Sequence, residues 1–239
     1  MKIFDRQLVN EFLTSWKNCT DTKDLDRIAQ GEETTTEDGR TIRLTAQVNS
    51  RYGRFLFTLV RMFEPKAILE IGMANGISSA YMAKAQNSYL KLPNAHTIID
   101  PFQSTQWSNA GISLLKSLGL NRNVRTIEDY SLSAIPQLEK SGGRFDFAFI
   151  DGSHCLDYTL SDLVTADRVL DRGGLMIFDD STDFGVKYAV RYMDRFRHNL
   201  KRIKFDNEII HILREATNKR RRLTVYQKTA EDTRGADGI

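Results

Sequence analysis

Two short stretches place residues of the right types at spacings that suit chemistry. The apolar run Phe147-Ala148-Phe149-Ile150 ends in Asp151, and His154 follows three residues later. A second run, Leu175-Met176-Ile177-Phe178, ends in Asp179 and Asp180. Carboxylates gathered at one place repel one another. A hard cation such as Mg²⁺ relieves that repulsion with oxygen ligands and keeps positions for water or substrate oxygens. Asp151, Asp179 and Asp180 are therefore the expected metal ligands, with helix-capping acids as the alternative. Successive strand residues point to opposite faces, so Asp179 and Asp180 serve one ion only if the strand has already turned. An unperturbed histidine titrates near pH ~6.5, which suits His154 to take a proton as a general base beside Asp151. Metal and base together would convert a substrate hydroxyl into a nucleophile. His96, His198 and His211 lack such neighbours and are expected to face solvent.

A glycine-rich turn supplies a second kind of chemistry. In Ile68-Leu69-Glu70-Ile71-Gly72-Met73-Ala74-Asn75-Gly76-Ile77-Ser78-Ser79 an apolar run gives way to a helical pattern. Glycines there let the backbone approach a ligand, and Ser78 and Ser79 near a helix start can bind an anionic group. The dinucleotide fingerprint needs glycines at its first, third and sixth positions. Gly72, Ala74 and Ile77 occupy them, which argues against a nicotinamide cofactor. The next run ends in Ile98-Ile99-Asp100-Pro101, where an acid is placed to accept from a ribose diol. Asp100 capping the following turn is the alternative.

These residues need elements that bring them to one edge. Runs at 67–71, 96–99, 124–127, 145–150 and 175–178 are short and continuous, as in strands covered on both faces. Helical patterns at 77–85, 110–118, 133–138, 158–170 and 186–197 separate them. This alternation predicts an α/β, doubly wound, mostly parallel sheet with right-handed crossovers, whose ligands sit at the carboxyl ends of the strands. Leu200–Phe205 and Leu223–Tyr226 add two strands, seven in all. With no evident crossover helix between them, they are expected to form an antiparallel edge. The apolar segment Ile209–Leu213 lies between them without an assignment.

Residues 1–46 read as an N-terminal helical and lid extension: Phe4, Leu8, Phe12 and Trp16 share a helix face, and 31–43 is a polar loop. That apolar face either packs on the core or makes a homo-oligomer. Residues 47–228 form the main domain, and 229–239 a flexible tail.

Composition is that of a globular protein, with 239 residues, 41% hydrophobic, 27% charged and a formal net charge of +3. Two distant cysteines, Cys19 and Cys155, make neither a disulfide framework nor a zinc cluster. The early charges of the N-terminus do not resemble a secretory signal, and no apolar run approaches the roughly 20 residues that span a bilayer. A cytoplasmic protein without membrane partners is expected. Lys219-Arg220-Arg221-Arg222 reads as a solvated loop rather than a nucleic-acid site.

From about Gln47 to Tyr226 the sequence resembles the metal-dependent O-methyltransferase branch of class I S-adenosylmethionine-dependent methyltransferases. Glu70-x-Gly72-x-x-x-Gly76 resembles that class's first motif, and Tyr130-Ser131 through Ile135-Pro136-Gln137-Leu138 resembles the adenine-contacting segment of catechol O-methyltransferase-like enzymes. Asp151-x-x-His154 and Asp179-Asp180 replace the Asp-x-x-Lys and Asp-Asn of catechol O-methyltransferase. In that they match better the macrolide-sugar O-methyltransferases, whose Asp-x-x-His and double Asp serve a Mg²⁺ site. Further lid acids of those enzymes are not placed in this sequence.

The resemblance implies a Rossmann-like methyltransferase fold and S-adenosylmethionine as cofactor. It implies cofactor-binding roles for Glu70, Gly72, Met73, Gly76, Ser78, Asp100, Ser131 and Asp151, with Ser131 near the adenine edge. It leaves the acceptor, a small hydroxylated sugar or natural product, undetermined. A metal-independent N-methyltransferase and a non-catalytic module of the same fold are the competing readings.

Overall fold

Short apolar runs without polar alternation become strands buried on both faces, and amphipathic stretches become the helices that cover them. The structure is a computed structural model, and it describes residues 6–31, 33–35, 41–42, 48–216 and 223–234. In chain order it comprises α1 (Arg6–Lys17), α2 (Lys23–Ala29), β1 (Thr34–Thr35), β2 (Thr41–Ile42), α3 (Ser50–Phe63), β3 (Ile68–Ile71), α4 (Ile77–Asn87), β4 (His96–Ile99) and α5 (Ala110–Ser117). There follow β5 (Val124–Ile127), α6 (Ser131–Lys140), β6 (Phe145–Ile150), α7 (Leu156–Val169), β7 (Leu170–Phe178), α8 (Phe184–Phe196), β8 (Leu200–Arg202), α9 (Asn207–Ala216) and β9 (Thr224–Lys228).

Seven strands form one sheet in the order β5-β4-β3-β6-β7-β9-β8. Strands β3 to β7 are parallel, and β9 runs antiparallel to both β7 and β8. The winding reverses at β3, where β4 lies on one side and β6 on the other. That is the switch point at which open α/β sheets bind ligands.

One face of the sheet is covered by α3, α4, α5 and α9, the other by α6, α7 and α8, and each side has its own apolar cluster. Helix α1 turns Leu8, Val9, Phe12 and Leu13 inward, and Phe12 meets Phe55 of α3 with ring centroids 5.1 Å apart. The N-terminal apolar face thus packs on the core through Leu8, Phe12 and, partly buried, Trp16. Phe4 lies outside the described residues, as do most of the polar loop 31–43 and all of Lys219–Arg222. Within that loop Thr34–Thr35 and Thr41–Ile42 pair antiparallel. Asp26 of α2 ties the extension down, accepting from Tyr81 Oη at 2.7 Å and Arg54 Nε at 2.9 Å. Among the described residues no helix is long and apolar enough to cross a membrane.

Two expectations about the end of the chain need correction. The segment around Ile209–Leu213 is helix α9, so a helix does connect the last two strands. Ile209, Ile212 and Leu213, at helical spacing, are the residues it buries. Strand β8 is correspondingly shorter than expected, ending at Arg202. The segment after β9 is also anchored as far as Arg234. Lys228 pairs with Glu231 at 2.7 Å, Asp232 with Arg197 at 3.3 Å, and Arg234 donates to Tyr192 Oη at 2.9 Å.

These contacts belong to a buried polar cluster centred on Asp167 of α7. Arg197 ion-pairs with Asp167, Asn199 donates to it at 2.8 Å, and the Lys228 ammonium lies 3.6 Å away. All of these residues are buried. Removing the central charge leaves buried cations underpaired, which typically costs about 3–5 kcal/mol. Asp167→Asn is expected to lower unfolding stability by about 3 kcal/mol in urea titrations; a loss under about 1 kcal/mol would show that Glu231 and Asp232 suffice as partners.

Candidate active site

Four backbone amides just past the strand ends close the sheet's carboxyl edge. Gly72 N–H donates to Ile99 at 2.9 Å, Asp100 N–H to Ile127 at 3.1 Å, Asp151 N–H to Ile71 at 2.9 Å and Asp179 N–H to Ile150 at 3.0 Å. The loops that follow enclose a cavity of about 610 Å³ over the switch point. Gly72, Met73, Ser78, Asp100, Ser131, Asp151 and His154 all line it.

The glycine turn is shaped by contact with the neighbouring strand. Gly72 has φ +90°, and a Cβ there would lie 2.1 Å from the Asp151 carbonyl oxygen. Gly76 has φ +78°, and a Cβ there would lie 2.7 Å from Gly111 Cα. Neither position admits a side chain. Asp100 fastens the turn from β4: its Oδ2 accepts from the amides of Met73 and Ala74, both at 2.9 Å, and from Gln103 Nε2 at 3.2 Å. Its Oδ1 accepts from Phe102 N–H at 2.9 Å. Each carboxylate oxygen has about two acceptor positions, so Oδ2 is fully engaged and Oδ1 keeps one for a ligand. The expected ribose acid therefore also holds the cofactor turn.

Glu70 lies where an indirect organiser of the glycine turn would, and the Ser78 hydroxyl is turned toward it rather than into the cavity. Glu70 is fully buried beneath the turn, and its Oε1 accepts from Ser78 Oγ at 2.8 Å. It acts on the cavity through Ser78, whose hydroxyl proton is thereby spent. What the start of α4 still offers an anionic group is its first-turn amides. His96, expected at the surface, is fully buried in β4, with Nε2 2.8 Å from Glu70 Oε2. The two atoms are close without being aligned as a hydrogen bond. Parallel pairing of β3 with β4 brings them together, a relation that sequence spacing does not encode. His198 and His211 are exposed as expected.

The carboxylate cluster forms at the ends of β6 and β7. Asp151, His154 and Asp180 each place a ligand atom within 4.8 Å of the others. Asp180 has φ +45°, a left-handed turn that separates its direction from that of Asp179. Asp179 is buried, its Oδ1 accepting from Asp180 N–H at 2.8 Å, and it is not in that group. Three acids were expected to converge; the structure assembles two acids and the histidine.

His154 is oriented by Asp183, whose Oδ2 lies 2.8 Å from Nδ1. Nε2 then faces Asp180 at 3.5 Å and Asp151 at 3.9 Å. Asp151 most of all, then Asp180 and Asp183, push the imidazole up to about 9 against the opposing effect of burial. The Asp183 contact is the shortest and fixes the ring; the field at Nε2 belongs to the other two. Two carboxylates and an imidazole in a partly open pocket fit a divalent cation that keeps water or substrate oxygens.

Several lining residues escaped the sequence reading. Phe102, Tyr130 and Tyr158 form an aromatic rim, with Tyr130 and Tyr158 stacked at 6.2 Å and Phe102 edge-on to Tyr130 at 5.9 Å. Asp183 was legible only as the helix-start acid three residues after Asp180. Asp162 sits in an ordinary helical pattern with no local signal, yet its buried carboxylate takes the Ser131 hydroxyl proton. Ser131 is the first residue of α6, one past the cap position at Tyr130.

Burial pushes the Asp162 carboxyl up to about 6, partly offset by the Ser131 hydrogen bond. A raised acid contributes most below its unfolded value and loses that contribution as pH rises through its folded value. Asp162→Asn removes this titration. Relative to the variant, the wild type should lose about 2 kcal/mol of stability between pH 4 and pH 7, read by denaturant titration at each pH. A flat difference across that window would show that Asp162 ionises freely.

Comparison with known proteins agrees with this geometry. Residues 69–181 match the family model of a methyltransferase domain. A catechol O-methyltransferase of Niastella koreensis is 28% identical over 156 residues, which cover 61% of this chain and 67% of the relative. That of Mycobacterium tuberculosis is 25% identical over 133 residues, 56% of each protein, so the chain matches little more than half the length of that relative. An O-methyltransferase of tomaymycin synthesis from Streptomyces achromogenes, solved with S-adenosylmethionine, shares the fold at TM-score 0.60 and 20% identity, covering 93% of this chain and 96% of that one. A Bacillus cereus O-methyltransferase bound to S-adenosylhomocysteine does so at TM-score 0.60 and 16% identity, covering 95% and 94%. In its sheet order, its glycine turn and the methyltransferase-domain match over residues 69–181, the chain is similar to the class I S-adenosylmethionine-dependent methyltransferases of the catechol O-methyltransferase-like branch.

Proposed function

We propose that the protein transfers the methyl group of S-adenosylmethionine to a hydroxyl of a small acceptor, a sugar or other natural product, with Mg²⁺ assistance. The supporting observation is the cluster of Asp151, His154 and Asp180, of which Asp151 and His154 line the cavity beside the glycine turn. The turn from Gly72 to Gly76 and the start of α4 receive the methionine part, Asp100 Oδ1 is placed for the ribose, and Ser131 lies at the base end. Asp151 and Asp180, with His154 beside them, are the residues that would hold the ion. When bound, a divalent cation would polarise the acceptor hydroxyl and cancel the negative field that keeps His154 protonated.

Each residue then has a defined task. Asp183 holds Nδ1 and so aims Nε2 at the cavity mouth. Nε2 takes the acceptor's proton as the hydroxyl oxygen forms its bond to the methyl carbon and the carbon–sulfur bond breaks. The aromatic rim of Phe102, Tyr130 and Tyr158 shields the cofactor end from water. In-line transfer of this kind depends mainly on positioning and electrostatics.

His154→Ala is expected to lower kcat by roughly a hundredfold or more while the Kd for S-adenosylhomocysteine changes less than about threefold. Lost cofactor binding would instead make His154 part of the cofactor pocket. Stripping the protein with EDTA is expected to abolish turnover on an acceptor panel, and Mg²⁺ to restore it. Turnover that ignores both treatments would replace this reading with metal-independent transfer.

A further inference from the structure

Asp162 has a place in the cavity that the methyl-transfer chemistry does not use. It lines the pocket from α7, is only 3% exposed, and spends Oδ1 on the Ser131 hydroxyl. Its Oδ2 has no hydrogen-bond partner among the described residues. Oδ2 is not sealed off by the protein, so in the cavity it stands open to a donor supplied by a ligand. The approach to Oδ2 is kept clear: a Cβ at Gly152 would lie 3.2 Å from it and 3.2 Å from Ile71 Cγ2. Any larger residue at 152 would cover the oxygen. The stacked rings of Tyr130 and Tyr158 line the same cavity, where they suit a flat heteroaromatic ligand.

We propose that Asp162 determines specificity for the cofactor's base, its Oδ2 accepting a hydrogen bond from the exocyclic amine of adenine while Ser131 holds the carboxylate in place. This rests on the cofactor reading above. An acceptor-only oxygen favours a 6-amino purine, which donates there, over a 6-oxo purine, which presents another acceptor. A buried polar site rejects a ligand lacking the matching group because its own atom is then left unpaired. A purely structural role, in which Asp162 only anchors the start of α6 through Ser131, gives no preference among bases.

Isothermal titration of the full chain with S-adenosylhomocysteine, its 6-oxo analogue S-inosylhomocysteine, and the analogue with no substituent at C6 separates these roles. The wild type is expected to bind both analogues roughly ten- to hundredfold more weakly than the 6-amino compound. Asp162→Asn, whose amide offers either a donor or an acceptor, should bring the 6-amino and 6-oxo affinities within about threefold of each other. Ser131→Ala provides a second variant, in which the loosened carboxylate should also discriminate less. Equal binding of all three compounds by the wild type overturns the proposal and leaves the cofactor reading intact. So does full discrimination retained in Asp162→Asn or, should that variant not fold, in Ser131→Ala. Failure of the wild type to bind S-adenosylhomocysteine at all would remove the cofactor reading, and the proposal with it.

Discussion

The carboxyl ends of β3, β4, β6 and β7 finish in register, and the site hangs from that alignment. Ile71 pairs with Ile99 on one side and Ile150 on the other, and Ile150 pairs with Phe178. The residue after each of these strands is thereby delivered to one rim: Gly72, Asp100, Asp151 and Asp179. A slip of one residue in any pair would turn its side chains to the opposite face of the sheet. The apolar residues that fill both faces set this register, so core packing and site geometry are one constraint.

Close backbone approach at the switch point follows from the same alignment. Gly72 is pressed against the Asp151 carbonyl so tightly that only hydrogen fits at its α-carbon. The glycine turn after β3 and the loop after β6 that carries Asp151 and His154 are therefore in contact. Asp100 reinforces the turn from the other neighbour by accepting from Met73 and Ala74. Ala74 and Asp180 both adopt positive φ at this rim, a conformation that costs a non-glycine residue about 1–2 kcal/mol. Strain of this size is held by the rigid sheet beneath, and it aims groups where regular strands would not.

Electrostatics divides the cavity into two ends. At the mouth, Asp151, Asp180 and Asp183 surround His154 and favour its cationic form, a field that invites a divalent ion. At the base end, Asp162 is buried by α6 and α7, and its ionised form is disfavoured. The carboxylates at the mouth act on His154, whereas the enclosed one is itself pushed toward its neutral form.

The sequence by itself determined the strands, because continuous apolar runs with helical patterns between them leave few alternatives to a parallel doubly wound sheet. It also placed Gly72, Asp100, Asp151 and Asp179 at one edge, since each closes such a run. Helix α9 was legible in the spacing of Ile209, Ile212 and Leu213, though hidden by the expectation of an antiparallel edge. Only the tertiary structure decided which neighbours these residues have. His96 lies beneath the cofactor turn because β4 pairs with β3, and Asp162 reaches Ser131 because α7 packs on α6. Of Asp179 and Asp180 only the second stands beside His154, because the chain turns left-handed there. Local pattern records which residues close a strand or face a core. Contacts between elements distant in sequence, and one turn's φ, are fixed only when the whole chain packs.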